Sequence, residues 1–503
     1  MLAALKKSRE LQTLLLIVLG GLILRLWGID HGFPFIFHPD EPTVVRSATG
    51  IRFEANPKHF DWPHLHFYLN YVLYWVFIKF RGLLQVLGFQ NAIAAKIPLF
   101  WQDPLVFYWL SRVFNAFLGA TTAIPLFLAG KKLFSPRVGL LAALALVLMP
   151  LHVHTSHFAL IDIPTAFWIS WALFFTVCAF KSNGSSENWK NYVLAGLFVG
   201  FAASTKYHGG LAAVAVLATF ALSGKWLSNA KNLALSALAS IFGFLIGTPY
   251  ALFDFDTFVR TDSPVGALWQ FKNVGSVAFM ERLQQFFGVL SFAFAEEFGY
   301  VFIALFLIFV AYSTVKRRKE NWLILIPALF LFFYLAGFDK IRSHYFLVTY
   351  PFIAFAAAAA LDQIVLPLLK NRKLRLAVLL TIFSIPLYFS FQRSQILAMK
   401  DTRVSLYEWL QQNATYDSFM VYNSSSIEPV VGKISKDLSE KGLKMENIEG
   451  RRGFIIVYTD SEEGIDEEEA EFIEMFERVH EIRPNGRRGD TILIYAFDKT
   501  QAI

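Results

Sequence analysis

Cysteine is nearly missing: Cys178 is the one cysteine in 503 residues. An internal disulfide framework and a cysteine-ligated metal site are therefore both excluded. Cys178 itself lies in the apolar run Phe174 to Phe180, the setting of an inert membrane residue. Charge is scarce too, at 17% of residues, where a soluble domain carries about 25%. No P-loop, Rossmann glycine pattern, GxSxG or HExxH occurs, which removes the nucleotide-binding, hydrolase and metalloprotease classes those motifs mark. No internal repeat of the kind that builds many transporters is visible either.

Apolar and aromatic residues fill the space. Hydrophobic residues make up 55% of the chain, with 53 phenylalanines and 12 tryptophans, as lipid-facing helices and interface belts require. The net charge of +7 divides unevenly. From Asp401 onward there are 12 basic and 21 acidic residues, a net of −9, while the first 400 carry 34 and 18, a net of +16. A basic membrane part joined to an acidic domain over 400–503 follows. Basic loops on the cytoplasmic side account for the excess, so no nucleic-acid partner is implied.

A bilayer core takes roughly 20 apolar residues as a helix. Runs of suitable length lie near 11–27, 107–130, 137–153, 159–180, 191–205, 208–224, 232–251, 298–315, 321–337, 343–361 and 374–391. They predict a mainly α, polytopic membrane protein of about eleven transmembrane helices. The first run, preceded by Lys6, Lys7 and Arg9, reads as an uncleaved signal anchor.

The run at 65–88 is settled by charge. If it does not cross, Lys131/Lys132/Arg137, Lys181/Lys190, Lys225/Lys231, Lys316–Lys319 and Lys370–Arg375 all fall on one side with the N-terminus. If it crosses, every cluster after the first faces outward, against the positive-inside rule. It is therefore expected to lie on the outer surface as an amphipathic helix. The outer side then receives a first loop over 28–106, a second large loop over 252–297 and the C-terminal domain. The chain is expected in the plasma (inner) membrane with a cytoplasmic N-terminus and an extracytoplasmic site. Helix-like stretches (Val404–Gln412, Glu467–Val479) and strand-like ones (Ser418–Tyr422, Gly453–Tyr458, Thr491–Phe497) make the C-terminal domain a small α/β module.

Chemistry-bearing residues gather on that outer side. In Phe37-His38-Pro39-Asp40-Glu41-Pro42 two adjacent carboxylates are held between prolines, each of which fixes its own φ and restrains its predecessor. Such a carboxylate serves as a general base or binds a metal, or is a solvated turn. Asp162 ends a stretch with three histidines and opens an apolar helix, where it is either a first-turn acid or part of a site. Lys206, Arg342 and Arg112 sit at or within helices, with His344 and Tyr345 beside Arg342. Snorkelling accounts for such cations, and so does a phosphate-bearing substrate. Asp254-Phe255-Asp256 fits a DxD pattern, which is common by chance and carries little weight.

Trp62-Pro63-His64-Leu65, Ser111-Arg112, Ser156 to Asp162, Thr205-Lys206-Tyr207 and Arg342-Ser343-His344-Tyr345-Phe346 follow the Asp-Glu motif in order. Over about residues 8–395 this set resembles a GT-C glycosyltransferase of the family 39 type. That superfamily includes protein O-mannosyltransferases and the lipid A aminoarabinose transferase. The resemblance implies a polyprenyl-phosphate sugar donor and an acceptor hydroxyl on a protein, lipid or glycan, with membrane lipid around the chain. It implies Asp40 as base with inversion at the sugar, Glu41 orienting Asp40 or the acceptor, and Asp162 as a second acid. Lys206 and Arg342 would stabilise the leaving phosphate, supported by Arg112, His344 and Tyr345. No organic cofactor is implied. A divalent metal is allowed, with Glu41, His38, His64 and His66 as candidate ligands.

The chain departs from better-known relatives in lacking the sugar-binding-like domain of eukaryotic mannosyltransferases. Thr205-Lys206-Tyr207-His208 also replaces the glycine-proline-rich stretch of the aminoarabinose branch. Two other classes stay open: a transporter of lipid-linked sugar, which would spread ionisable groups along a midplane path, and a non-enzymatic receptor or scaffold.

Overall fold

The computed structural model describes residues 8–86, 105–289, 295–415, 417–435, 437–460, 465 and 467–500. The chain forms two compact units, Met1–Leu26 with Asp40–Ser394 and Trp27–Pro39 with Gln395–Ile503. The first-loop segment 27–39 and residues 395–399 thus group with the C-terminal unit, not with the membrane part to which the sequence reading assigns them. Lys6 and Lys7, the loop segment 87–104 and residues 290–294 lie outside the described residues.

The larger unit is helical. Its main helices are α1 (Arg9–Leu26), α2 (Glu41–Gly50), α3 (Leu65–Val86), α4 (Leu105–Thr121) and α5 (Ala123–Leu133). There follow α6 (Pro136–Val147), α7 (Pro150–Thr155), α8 (Asp162–Lys181), α9 (Asn188–Ala203), α10 (Ala213–Ser223) and α11 (Trp226–Gly247). Short helices lie at Tyr250–Phe253, Phe255–Phe258, Ala267–Asn273, Phe279–Gly288 and Ala295–Phe298, and α12 (Tyr300–Lys316), α13 (Lys319–Leu335), α14 (Tyr350–Ala360) and α15 (Arg372–Ala398) follow. Each of the eleven apolar runs carries helix. Among the described residues, five stretches are long and apolar enough to cross a membrane: Leu105–Leu133, Asp162–Lys181, Trp226–Gly247, Ser343–Leu368 and Arg372–Ala398.

Local chemistry sets several boundaries. Ser135 accepts a hydrogen bond from the Val138 N–H at 3.2 Å and Pro136 follows, a strong start for α6. Helices α9 and α11 pack backbone to backbone, because a Cβ on Gly200 would lie 2.2 Å from the Ser240 carbonyl oxygen. The alanine run of α14 is buried throughout and forms the centre of the main apolar core.

Helix α3 corrects one expectation. Its outward face is mainly apolar, with Val72, Trp75, Val76, Phe80 and Leu83 exposed beside Lys79, while His66, Asn70 and Arg81 are buried against the protein. Inside, Asn70 bonds both His66 and Ser111, while on the outward face Lys79 lies over the Trp75 ring.

The smaller unit contains α16 (Thr402–Asn413), β1 (Phe419–Tyr422), α17 (Glu428–Ser435), β2 (Ser439–Lys441), β3 (Arg452–Thr459), α18 (Glu467–Ile473), β4 (Glu477–Ile482) and β5 (Thr491–Asp498). The sheet order is β2-β1-β3-β5-β4, with β1 parallel to β2 and β3, and β5 antiparallel to β3 and β4. Alternate residues of β3 feed two cores, Ile456 on one face and Ile455 and Val457 on the other. Phe35 joins the first core beside Leu406 and Leu410, and the Arg403 guanidinium lies 3.5 Å from the Phe37 ring centroid. The helix expected over Glu467–Val479 stops at Ile473, and Val479 belongs to edge strand β4. The exposure of four successive β4 residues removes the alternation by which a strand is read.

Candidate active site

Helix α2 opens immediately after Asp40, which occupies its N-cap position, and has proline in its first turn. Glu41 begins the helix and turns inward. Arg112 of α4 grips it in a fork, Nε donating to Oε1 at 2.7 Å and Nη2 to Oε2 at 2.8 Å. Neither side chain has any exposure. The Ala159 N–H donates to the same Oε1 at 2.9 Å. Glu41 is therefore sealed from any acceptor, and Arg112, expected beside a substrate phosphate, has its fork filled by a carboxylate of the chain itself. Both act on position.

What they position is the turn before α8. Asn115, one helical turn after Arg112, donates to the carbonyls of Phe158 at 2.7 Å and Leu160 at 2.6 Å. Buried Arg25 donates to Ser156 Oγ at 3.1 Å and bonds His152 Nδ1 at 2.8 Å. Three elements thus hold the backbone that delivers Asp162.

Asp162 starts α8 and accepts from Lys206 Nζ at 2.6 Å, with the two side chains 8% and 14% exposed. Lys206 lies in extended backbone just before a 3-10 turn over Tyr207–Ala212. That turn sits hard against the end of α9: a Cβ on Gly209 would lie 2.4 Å from the Ala202 carbonyl oxygen, so only glycine allows the approach. Lys206 Nζ also lies 5.2 Å from the Tyr345 ring centroid. His344 meets the same ring edge-on at 4.7 Å, and His208 stacks on it at 6.2 Å.

Arg342, exposed, leads into the 3-10 segment Ser343–Thr349 that presents His344 and Tyr345. Asp162, Lys206, Arg342 and Asp40 all act electrostatically on His344. Five residues singled out from the sequence therefore share one neighbourhood: Asp162, Lys206, Arg342, His344 and Tyr345, with the Asp40 carboxylate in electrostatic reach. His208 is a member the sequence reading passed over, although it stands two residues from Lys206.

Two of the histidines proposed as metal ligands bond elsewhere. His64 Nε2 bonds the His59 carbonyl at 2.8 Å, which fixes its proton on that nitrogen. Burial pulls its pKa down to about 4, with the neighbouring His59, Asp61 and Asp254 contributing less. His66 Nε2 faces the Asn70 amide at 3.0 Å, its ring stacks on Phe114, and burial lowers its pKa to about 3. His38 belongs to the other compact unit. Among the described residues no three His, Cys, Asp or Glu side chains assemble as a metal centre. Glu41 is committed to Arg112, and His64 and His66 to the contacts above, so these three do not gather as a metal site. In the DxD match, Asp254 accepts from the Asn56 amide at 2.7 Å. Unforeseen was a chain from Ser47 Oγ to His59 Nε2 (2.8 Å) and from His59 Nδ1 to Asp61.

Residues 89–260 match the family model for dolichyl-phosphate-mannose-protein mannosyltransferase. That span includes Arg112, Asp162 and Lys206 and leaves Asp40 and Arg342 outside. In three dimensions the chain is similar to ArnT from Cupriavidus metallidurans in its apo state, with a TM-score of 0.58 at 13% identity, over 98% of this chain and 99% of that one. The same ArnT bound to undecaprenyl phosphate gives 0.53 at 13% identity, over 96% and 97%. The apo oligosaccharyltransferase of Archaeoglobus fulgidus gives 0.51 at 16% identity, over 84% of this chain and 64% of that chain, so this chain spans less than two thirds of that enzyme. No curated protein sequence matches. The likenesses show the fold: the chain has the GT-C fold.

Proposed function

We propose, for a chain with the GT-C fold and a mannosyltransferase-type segment, that it transfers a sugar from a polyprenyl-phosphate donor to an acceptor hydroxyl. The convergence of Lys206, Asp162, His344, Tyr345 and Arg342 within reach of Asp40 carries this reading. The match over residues 89–260 supports a sugar-phosphate lipid as donor class, and neighbours of the same fold have been seen with undecaprenyl phosphate and with dolichol-phosphate.

Asp40 is the base. Its carboxylate takes the proton of the acceptor hydroxyl as the oxygen attacks the anomeric carbon. The bond from that carbon to the phosphate oxygen breaks on the opposite face, and polyprenyl phosphate departs with the electron pair. Configuration inverts. Negative charge grows on the leaving phosphate, where Lys206 and Arg342 supply the counter-charge. Asp162 holds Lys206 extended until the phosphate arrives, and Tyr345 limits where the ammonium can go. Glu41 and Arg112 fix the start of α2 and so the aim of Asp40. About eleven crossings, a cytoplasmic N-terminus and an outward-facing site complete the reading.

The test is release of polyprenyl phosphate from a panel of polyprenyl-phosphate sugars by the purified full chain, wild type against Asp40→Asn. Turnover by wild type and none by the folded variant supports the assignment. Binding of donor with no turnover by either, in the presence of protein, lipid and glycan acceptors, points instead to transport.

A further inference from the structure

The larger unit contains a second charged feature, remote in sequence from Asp40 and Lys206 and unused by the transfer reaction. Between the start of α6 and the start of α15 lies a cavity of about 840 Å³. Four cations line it: Arg137, Arg372, Lys373 and Arg375. Asn371 and the apolar Leu376 and Leu379 make up the rest of its wall.

The charges are poorly neutralised. Arg137 pairs with Asp362 at 3.2 Å, and Arg375 Nε donates to the Leu369 carbonyl at 2.6 Å. Arg372 and Lys373 are exposed and make no side-chain hydrogen bond or ion pair among the described residues. One carboxylate thus answers four cations. Holding them together costs free energy unless an anion joins them.

The apolar wall decides the kind of anion. Leu376 and Leu380 are 57% and 64% exposed and follow one another along α15, away from the cations. A free phosphate would leave that ladder bare; a lipid phosphate would cover the cations and lay its chain along the leucines. Basic recesses at helix ends on the cytoplasmic side of membrane proteins have the same logic.

We propose that this cavity binds the headgroup of an anionic glycerophospholipid from the leaflet facing the basic loops. Its phosphate lies between Arg137, Arg372 and Arg375, and one acyl chain runs along Leu376, Leu379 and Leu380. The site does not depend on the transferase reading, since its ligand and residues are separate from those of the reaction.

The test uses the full chain in detergent, titrated with dioleoyl phosphatidylglycerol, dioleoyl phosphatidylcholine or inorganic phosphate and followed by native mass spectrometry. Wild type is compared with Arg372→Gln/Lys373→Gln and with Lys225→Gln/Lys231→Gln, which removes two exposed charges elsewhere in the basic set. Near a membrane surface each cation is worth about 1 kcal/mol, so the first double variant should bind phosphatidylglycerol about 30-fold more weakly. The second should match wild type, and phosphatidylcholine should bind none of them selectively. Equal weakening by both double variants would mean diffuse attraction and overturn the site. Retention of inorganic phosphate as strong as that of phosphatidylglycerol would overturn its assignment to a lipid.

Discussion

Arg112 and Glu41 form a two-point ion pair with no solvent exposure on either side chain, and the Ala159 N–H completes it. Taking two charges out of water is costly, and the pair repays this only while every donor and acceptor is used. It ties α2 to α4 and both to the turn before Asp162. The pair thus connects the two acidic positions of the site without touching either.

Removing one partner strands the other. Arg112→Met should destabilise the larger unit by about 3–5 kcal/mol, the cost of an unpaired buried charge. Glu41→Met/Arg112→Met should recover most of that, as apolar replacement of a buried pair often does. Turnover should stay at least about tenfold down in the double variant, because the Ala159 N–H has lost its acceptor and the turn its anchor. Thermal unfolding in detergent reads the first effect and polyprenyl phosphate release the second. Full recovery of turnover in the double variant would reduce the pair to a packing element.

Lys206 and Asp162 should separate binding from chemistry. Lys206→Met removes charge stabilisation where the leaving phosphate develops its own, and kcat should fall by about 10²–10³ with the fold intact. Asp162→Asn keeps the shape and releases the ammonium from its carboxylate at 2.6 Å. The lysine then finds the ground-state phosphate diester more attractive, so KM should fall while kcat drops less than in Lys206→Met. Steady-state kinetics with a polyprenyl-phosphate sugar that turns over decides it. A kcat unchanged in Lys206→Met would remove that residue from the reaction.

Much of this site was legible in the sequence because its chemistry is local. Asp40 between prolines, Asp162 at the head of an apolar helix and Arg342-Ser343-His344-Tyr345 at another helix edge announce themselves by residue type. What the sequence does not carry is the direction of a side chain. Glu41 follows Asp40 directly and looks its equal, yet one step along a helix turns it by about 100° and into the core. Arg112 looks like any snorkelling cation until Glu41, 71 positions away, is brought to it. The polar residues of α3 mark an amphipathic helix, but not that His66, Asn70 and Arg81 point inward. His208 carries no local signal; only the meeting of its ring with Tyr345 reveals it.

His64 should make acid the weak side of the stability profile. Its folded pKa, about 4, lies below the ordinary value of 6.5 because burial disfavours the imidazolium. Above about pH 6.5 folded and unfolded states both hold it neutral, and its full contribution is present. As pH falls from there toward 4 the unfolded chain takes the proton first, and stability is lost, on the order of 3 kcal/mol in all. His64→Phe keeps the ring and its packing near Phe60 and Phe67 but removes the titration, so the slope between pH 6.5 and 4 should flatten. Denaturation midpoints measured across that window check it. An unchanged slope would place the acid sensitivity elsewhere.

In the smaller unit Asp401 organises both ends of the fold. It caps α16 through the Arg403 N–H at 3.0 Å, pairs with the Arg403 side chain at 2.8 Å and takes Arg488 on its other oxygen at 2.9 Å. Burial alone would raise its pKa; the two guanidinium groups outweigh it and hold the carboxyl below its ordinary value. Its stabilisation is present above the unfolded value of 3.8 and fades as pH falls through the lower folded one. Asp401→Ala removes the cap and both ion pairs, and should cost the unit about 2–4 kcal/mol at neutral pH. Because Phe35 packs on Leu406 and Leu410, amides of residues 27–39 should exchange faster along with those of α16, while the buried amides of α8 and α14 stay protected. Hydrogen exchange read by mass spectrometry separates the two regions. Faster exchange in α16 with no change in 27–39 would show that the first-loop segment keeps its order without the cap, and would limit Asp401 to the helix it starts.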